Sequence, residues 1–255
     1  MASLVDFLSS YDNVKAGMKT IYLLDFDGTL APLARRPELA RLSPPRRRIL
    51  KKLAQRPGTK VAIISGRELG NLKRKVGIPG LTLIGNHGFE TEVRGRRRVY
   101  PAAQRFIPYI KKISKVLRAA LRFKGVLIED KGLTLSVHYR QVKAAEQKKL
   151  NRAFNAAVAP WRRRVKITRG KKVIELRPPH DWDKGKAVNW LLKELKLRDY
   201  FPIYIGDDRT DEDAFRVLKE RGMTYFVGRG RTAAKRKLKD VGAVYRLLER
   251  EYISD

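Results

Sequence analysis

The 255-residue chain contains no cysteine. That excludes a disulfide framework, a thiolate nucleophile and a Cys-ligated zinc site, so any metal or nucleophile must draw on oxygen or nitrogen. No apolar run approaches the ~20 residues that a membrane-crossing helix needs. The opening MASLVDFLSSYDNV lacks the basic head and apolar core of a secretory signal. A soluble, cytoplasmic protein with no membrane partner is expected. Acid is scarce as well: 26 Asp and Glu stand against 58 Lys and Arg, a formal net charge of +32. The shortage is sharpest over residues 99–178, where 4 acidic residues face 21 basic ones. Such an excess attracts polyanions, but most of the basic residues fall on polar helix faces and serve to solvate them. No nucleic-acid partner is expected. In a chain so short of acid, a cluster of aspartates calls for a reason.

What is present in quantity is apolar: 43% of the residues, enough for one sizeable domain or a domain carrying an insert. IYLLDFDG, KVAIISGR, LTLIGNHG and FPIYIGDD are short continuous apolar runs ending in polar turns, the pattern of strands buried on both faces of a parallel sheet. Helical patterns lie between them. Ser43 with Pro44 and Pro45 reads as an N-cap with first-turn prolines, opening a helix that stops near Pro57-Gly58, and 67–76 and 184–195 read likewise. The alternation predicts a doubly wound, Rossmann-like α/β core with its site at the carboxyl ends of the strands.

The middle of the chain has other periods. Phe106, Ile110, Ile113, Leu117 and Leu121 mark an amphipathic helix. In LTLSVHYR, Leu133, Leu135, Val137 and Tyr139 alternate with Thr134, Ser136, His138 and Arg140, predicting a sheet with one packed and one polar face. A second helix at 142–159 buries Leu150, Phe154 and Val158, and strands near 163–168 and 172–176 complete an αββαββ unit. The expected domains are a core of 1–98 and 178–255 with an α+β insert at 99–177.

Asp25 and Asp27 stand at i and i+2 where a strand ends, so they need a cation or a shared proton, and a hard divalent ion such as Mg²⁺ suits oxygen ligands. GDDRTDEDAF adds Asp207, Asp208 and Asp211 at another strand end. With such an ion a phosphate is the natural partner. Asp25 would then be the nucleophile and Asp27 the general acid/base. Gly28 and Thr29 would offer backbone N–H groups, Ser65 a hydroxyl and Lys184 a charge to the phosphoryl oxygens.

DFDGTL, the Ser of IISGR, the Lys of WDKGKA and GDDRTDEDAF resemble, in order, the four motifs of the haloacid dehalogenase superfamily of aspartyl-phosphate phosphatases. Together with GNHGFE, EDKGLTLSVHYR and ELRP they resemble the trehalose-6-phosphate phosphatases in particular, over about residues 20 to 230. The resemblance implies a Mg²⁺ ion held by the Asp25 carboxylate, the Asp27 carbonyl and Asp207, with Asp208 and Asp211 in support. It implies that the insert is a C2-type cap that reads the sugar through Glu129, Lys131, Arg140, Lys171 and Glu175. Gly66 and Arg67 of IISGR and Asn86, His87 and Gly88 of GNHG join the substrate-binding residues; His138 is read as structural. The expected substrate is a small-molecule sugar phosphate, trehalose 6-phosphate. The alternatives are a sucrose, mannosylglycerate or glucosylglycerate phosphate, or a basic nucleic-acid-binding protein on the same scaffold. A synthase partner is not readable from the sequence.

Overall fold

The computed structural model describes residues 18–34, 36–170 and 172–253. In chain order the strands are β1 (Thr20–Asp25), β2 (Thr59–Ile64), β3 (Thr82–Gly85), β4 (Glu90–Val93), β5 (Arg96–Val99), β6 (Leu127–Asp130), β7 (Leu135–His138), β8 (Lys166–Gly170), β9 (Val173–Arg177), β10 (Phe201–Gly206), β11 (Met223–Val227) and β12 (Arg236–Leu238). The longer helices are α1 (Pro44–Gln55), α2 (Leu69–Val76), α3 (Ile107–Ala120), α4 (Ala144–Val158), α5 (Lys184–Glu194), α6 (Glu212–Val217) and α7 (Val241–Ile253). Two compact units result, one holding the chain up to Ile63 and from Val188 onward, the other Ile64–Ala187.

In the first unit the strands run β12-β11-β10-β1-β2, and β1/β10, β10/β11 and β11/β12 are parallel pairs. All of β1 is buried, as is β10 from Pro202 onward. Strands covered on both faces have no polar side to alternate with, which is why both read as unbroken apolar runs. The α/β class agrees with the sequence. α1 packs against α7 and buries Leu50 and Leu53. Ser43 takes the N-cap position as expected, yet its hydroxyl makes no capping bond; Pro45, at the second helical position, has removed one of the two amide donors that such a hydroxyl can accept from.

The second unit contains two sheets. β3-β4-β5 is an antiparallel meander, and the sequence pattern gives no sign of its hairpin. Arg94 and Gly95, both at positive φ, form the two-residue turn between β4 and β5. The outer strand is RRRV, exposed along Arg96–Arg98, so it lacks the apolar alternation by which a strand is recognised. α2 begins at Leu69, two residues later than expected, because the Glu68 carboxylate caps it, accepting from Gly70 N and Asn71 N at 2.7 Å each.

The other sheet, β6-β7-β9-β8, is antiparallel throughout. With α3 before it and α4 between β7 and β8, it has the expected αββαββ order. β8 starts at Lys166, later than expected, since a 3₁₀ turn at Ala159–Trp161 extends the exit from α4. Leu135, Val137, Ile174 and Leu176 join Ile110, Ile113, Leu117, Leu150, Phe154 and Val158 in one apolar cluster. Leu133 precedes β7 and packs instead with Phe89 and Ala103. The opposite face is polar, and Glu129, Ser136 and Glu175 lie in register across β6, β7 and β9.

Candidate active site

The first unit gathers carboxylates. β1 ends at Asp25, which is 4% exposed. Phe26 to Ala31 then folds into a tight turn in which Leu30 N and Ala31 N donate to Phe26 O and Gly28 N donates to Ala31 O. Tyr245 of α7 pins the turn through its hydroxyl, which donates to Leu30 O at 2.9 Å. Gly28 is required twice over. Its φ is +87°, and a Cβ there would lie 2.0 Å from Asp207 Oδ2, so only a residue without a side chain lets the Asp207 carboxylate come this near.

From β10 come the remaining acids. Asp211 is fully buried, with Oδ1 accepting from the Tyr204 hydroxyl at 2.6 Å and Oδ2 from Asp208 N at 2.9 Å. One oxygen each from Asp25, Asp207 and Asp211 lie within 4.8 Å of one another. Three carboxylates so placed repel strongly at low dielectric. An oxygen-only donor set of this compactness fits a hard divalent cation. Asp27 falls outside the group: β1 has ended two residues earlier, so strand alternation no longer sets its direction. Asp208 is exposed and its Oδ1 accepts from Arg209 N, capping the turn that carries Asp211. Of the two backbone donors expected at a phosphate, that of Gly28 is used within the turn. Thr29 remains, fully buried, and its Oγ1 has no partner among the described residues.

The second unit gathers polar groups of both signs. At the end of β2, Ser65 is buried and its Oγ accepts from Arg67 N at 3.2 Å; the Arg67 guanidinium turns to Asn71 Oδ1 at 3.1 Å. At the end of β3, Asn86 and His87 both take positive φ, 48° and 57°, conformations that a non-glycine residue holds only under local constraint. For Asn86 the constraint is visible. Its Nδ2 donates to Glu90 Oε2 at 2.6 Å and Lys131 O at 3.1 Å, while its Oδ1 accepts from Thr134 Oγ1 at 2.7 Å. The amide joins the β3–β4 connection to the 131–134 turn. Gly88 also has positive φ.

Around His87 lie Glu175, Lys131 and Arg177. Lys131 Nζ donates to Gly66 O at 3.0 Å and approaches Glu175 Oε1 at 3.4 Å, and Ser136 Oγ donates to the same oxygen at 3.1 Å. Arg177 is ion-paired to Glu175 Oε2 and its Nη2 stands 2.9 Å from His87 Nε2. Burial, then the positive charge of Arg177, lowers the His87 pKa to about 4, so the ring is neutral at neutral pH. Burial works to raise the Glu175 carboxyl, but the positive charges of Lys131 and Arg177 facing it help to reverse that, and it is held well below the ordinary range. Glu129 is likewise raised by burial and lowered further by His138, 3.1 Å away, and by Lys131. His138 thus has a definite partner. Arg140 stands exposed in the turn after β7, and the buried cluster forms without it. Lys171 lies outside the described residues. Lys184, 3% exposed, opens α5.

Sequence reasoning missed Arg177 and Tyr204 as members of these clusters. Arg177 could have been found, since it stands two residues from Glu175 on one strand and so shares its face. Tyr204 sits in an apolar strand and gives no such signal.

Comparison with known proteins follows the same lines. The trehalose-phosphatase family model matches residues 23–247. The chain is 33% identical over 255 residues to trehalose-phosphate phosphatase B of Arabidopsis thaliana, covering 93% of this chain and 67% of the relative. It is 39% identical over 235 residues to the trehalose-phosphate phosphatase of Mycobacterium bovis, covering 89% and 59%. It therefore spans about 59% to 67% of the length of these relatives. Among solved structures, a trehalose-6-phosphate phosphatase related protein superposes with a TM-score of 0.82 at 26% identity, covering 92% of this chain and 98% of the other. The C-terminal domain of C. albicans trehalose-6-phosphate phosphatase gives 0.79 at 26%, covering 94% of each.

Proposed function

Because the chain belongs to the trehalose-phosphatase family, we propose that it hydrolyses trehalose 6-phosphate to trehalose and phosphate through an aspartyl-phosphate on Asp25. The observation that carries this reading is the compact Asp25, Asp207 and Asp211 group at the ends of β1 and β10. An Asp25 oxygen attacks phosphorus and the bond from phosphorus to the sugar oxygen breaks. Asp27, protonated, gives its proton to that leaving oxygen. The Asp27 carboxylate then takes a proton from water, whose oxygen attacks the acyl phosphate, releasing phosphate and restoring Asp25.

Mg²⁺ suits this donor set, and when bound it supplies charge neutralisation at the phosphoryl oxygens. Asp25 and Asp207, with the Asp27 carbonyl, would hold it, and Asp211 and Asp208 would keep the donors in place. Thr29, Ser65 and Lys184 are assigned to the phosphoryl oxygens, Lys184 supplying the charge. Residues 99–177 are assigned to the sugar as a cap, through Glu129, Lys131 and Glu175 on the polar sheet face, with Arg140 and Lys171; Gly66, Arg67, Asn86, His87 and Gly88 complete the substrate set.

Phosphate release from trehalose 6-phosphate, compared with sucrose, mannosylglycerate and glucosylglycerate phosphates, tests the reading. Trehalose 6-phosphate should give the highest kcat/KM, EDTA should stop turnover until Mg²⁺ is restored, and Asp25→Asn should be inactive on every phosphomonoester. A preference for another sugar phosphate would overturn the substrate. An active Asp25→Asn variant would overturn the mechanism.

A further inference from the structure

Arg177 has no part in the scheme above, yet it occupies the centre of the buried polar cluster. Its side chain is 7% exposed. The alternation of β9 sends Ile174 and Leu176 into the apolar core and leaves Glu175 and Arg177 on the other face. One hydrogen of Nη2 goes to Glu175 Oε2, and the same nitrogen stands 2.9 Å from His87 Nε2. A guanidinium carries donors only and stays charged. Two nitrogens at that separation need one acceptor between them, so His87 Nε2 must be the bare nitrogen and the ring proton must sit on Nδ1. The competing arrangement has Nε2–H donating to Glu175 Oε1 at the longer distance of 3.3 Å. It would set an N–H against an N–H across the 2.9 Å contact with Arg177. Glu175 does not need that bond, having Arg177, Lys131 and Ser136.

The ring cannot turn away from this arrangement. His87 N donates to Ser65 O at 3.0 Å, and the imidazole lies so close over Gly66 that a Cβ there would be 2.5 Å from Cε1 and Nε2. Position 66 must therefore be glycine for the ring to occupy its place. What remains is Nδ1–H, on a side chain only 7% exposed, with no partner among the described residues. Buried donors are rarely left so, and a held, strained donor of this kind marks a place prepared for a ligand atom.

We propose that Arg177 is a positioning residue: it fixes His87 as the neutral Nδ1–H tautomer, so that one buried N–H is presented to a hydroxyl or ether oxygen of the sugar. The identity of the acceptor rests on the proposed function; the tautomer does not.

Nitrogen NMR of the full chain labelled at histidine separates the two. The chain has only His87, His138 and His180, and His138→Gln and His180→Gln assign the His87 signals by elimination. At neutral pH His87 should show a protonated Nδ1 and a bare Nε2. In Arg177→Met, Nε2 should become protonated and donate to Glu175. A protonated Nε2 in the unsubstituted protein, or an Nδ1–H form unchanged in Arg177→Met, would overturn the proposal. The first measurement needs no variant, so a variant that failed to fold would still leave the proposal open to refutation. In the phosphatase assay, Arg177→Met should lower kcat/KM for trehalose 6-phosphate about 10- to 100-fold, mostly through KM. The expected tautomer switch without any kinetic loss would overturn the sugar contact and keep the tautomer. Absence of turnover in the unsubstituted protein would overturn the proposed function, and with it the sugar contact, while the NMR result would stand.

Discussion

Replacing Tyr204 by Phe removes one oxygen from the middle of β10 and tests how the acidic group is held. The hydroxyl donates to Asp211 Oδ1 at 2.6 Å inside a fully buried environment, the short range of a charge-assisted O–H to carboxylate bond. The ring itself should stay, since it packs edge-on against Phe215 with centroids 5.6 Å apart, a contact that phenylalanine keeps. The loss then includes one charge-assisted hydrogen bond, about 1.5–3 kcal/mol. Urea denaturation without metal should show that loss. A second consequence concerns the ion. Asp211 would still accept from Asp208 N but would lose the bond that sets its rotamer, and removing such an outer partner typically costs about 10- to 100-fold in metal affinity. A Mg²⁺ titration, followed both by calorimetry and by phosphate release, should move to higher concentration by that factor while kcat at saturation changes far less. An unmoved Mg²⁺ curve alongside a clear stability loss would mean that Asp211 braces the turn and has no hold on the ion. Unmoved stability would refute the buried bond itself.

Two further predictions concern the second unit. His87 titrates at about 4 in the folded chain against an ordinary 6.5, so between these values the unfolded chain binds the extra proton. Stability should be full above pH of about 6.5 and fall as pH drops toward about 4, by up to roughly 3 kcal/mol; urea midpoints that stay level across that window would refute the burial of a neutral imidazole, and His87→Gln should flatten the curve. Asn86→Leu should cost at least about 3 kcal/mol by thermal or urea unfolding, since it strips donors from Glu90 and the Lys131 carbonyl and the acceptor from Thr134 together, and a loss under about 1 kcal/mol would refute the hold of this amide on the 131–134 turn.

The parts of the fold that could be read in advance are those where burial imposes a period. β1 and β10, covered on both faces, show as unbroken apolar runs, and β7, covered on one, shows as alternation. β5 could not be read that way, because an edge strand of exposed arginines has no apolar face to reveal it. The site divides likewise. Asp25, Asp207 and Asp211 are legible because acids are expensive to bring together and local sequence places them at strand ends. The contact between His87 and Arg177 spans ninety residues, and no local pattern encodes it. The Tyr204 hydroxyl is hidden because the ring that carries it satisfies the apolar run by itself.

Charge supplies the remaining link from composition to site. With 58 basic residues, a lysine or arginine on the surface says little, since its head stays in water wherever it lies. A carboxylate is different in such a chain, because each one that folds inward must bring matched donors or remain an uncompensated buried charge. Residues 99–178 have only four. Glu129 is held by His138 and approached by Lys131, Glu175 by Arg177, Lys131 and Ser136, and Asp130 caps Gly132 N in the turn after β6. Glu146 alone serves a helix, in the first turn of α4, where a negative charge offsets the positive end of the dipole. Two of the four acids therefore lie on one polar sheet face, each already given its donors. A segment selected only for a solvated basic surface would have no reason to arrange them so, and the scarcity of acid is what makes the arrangement informative.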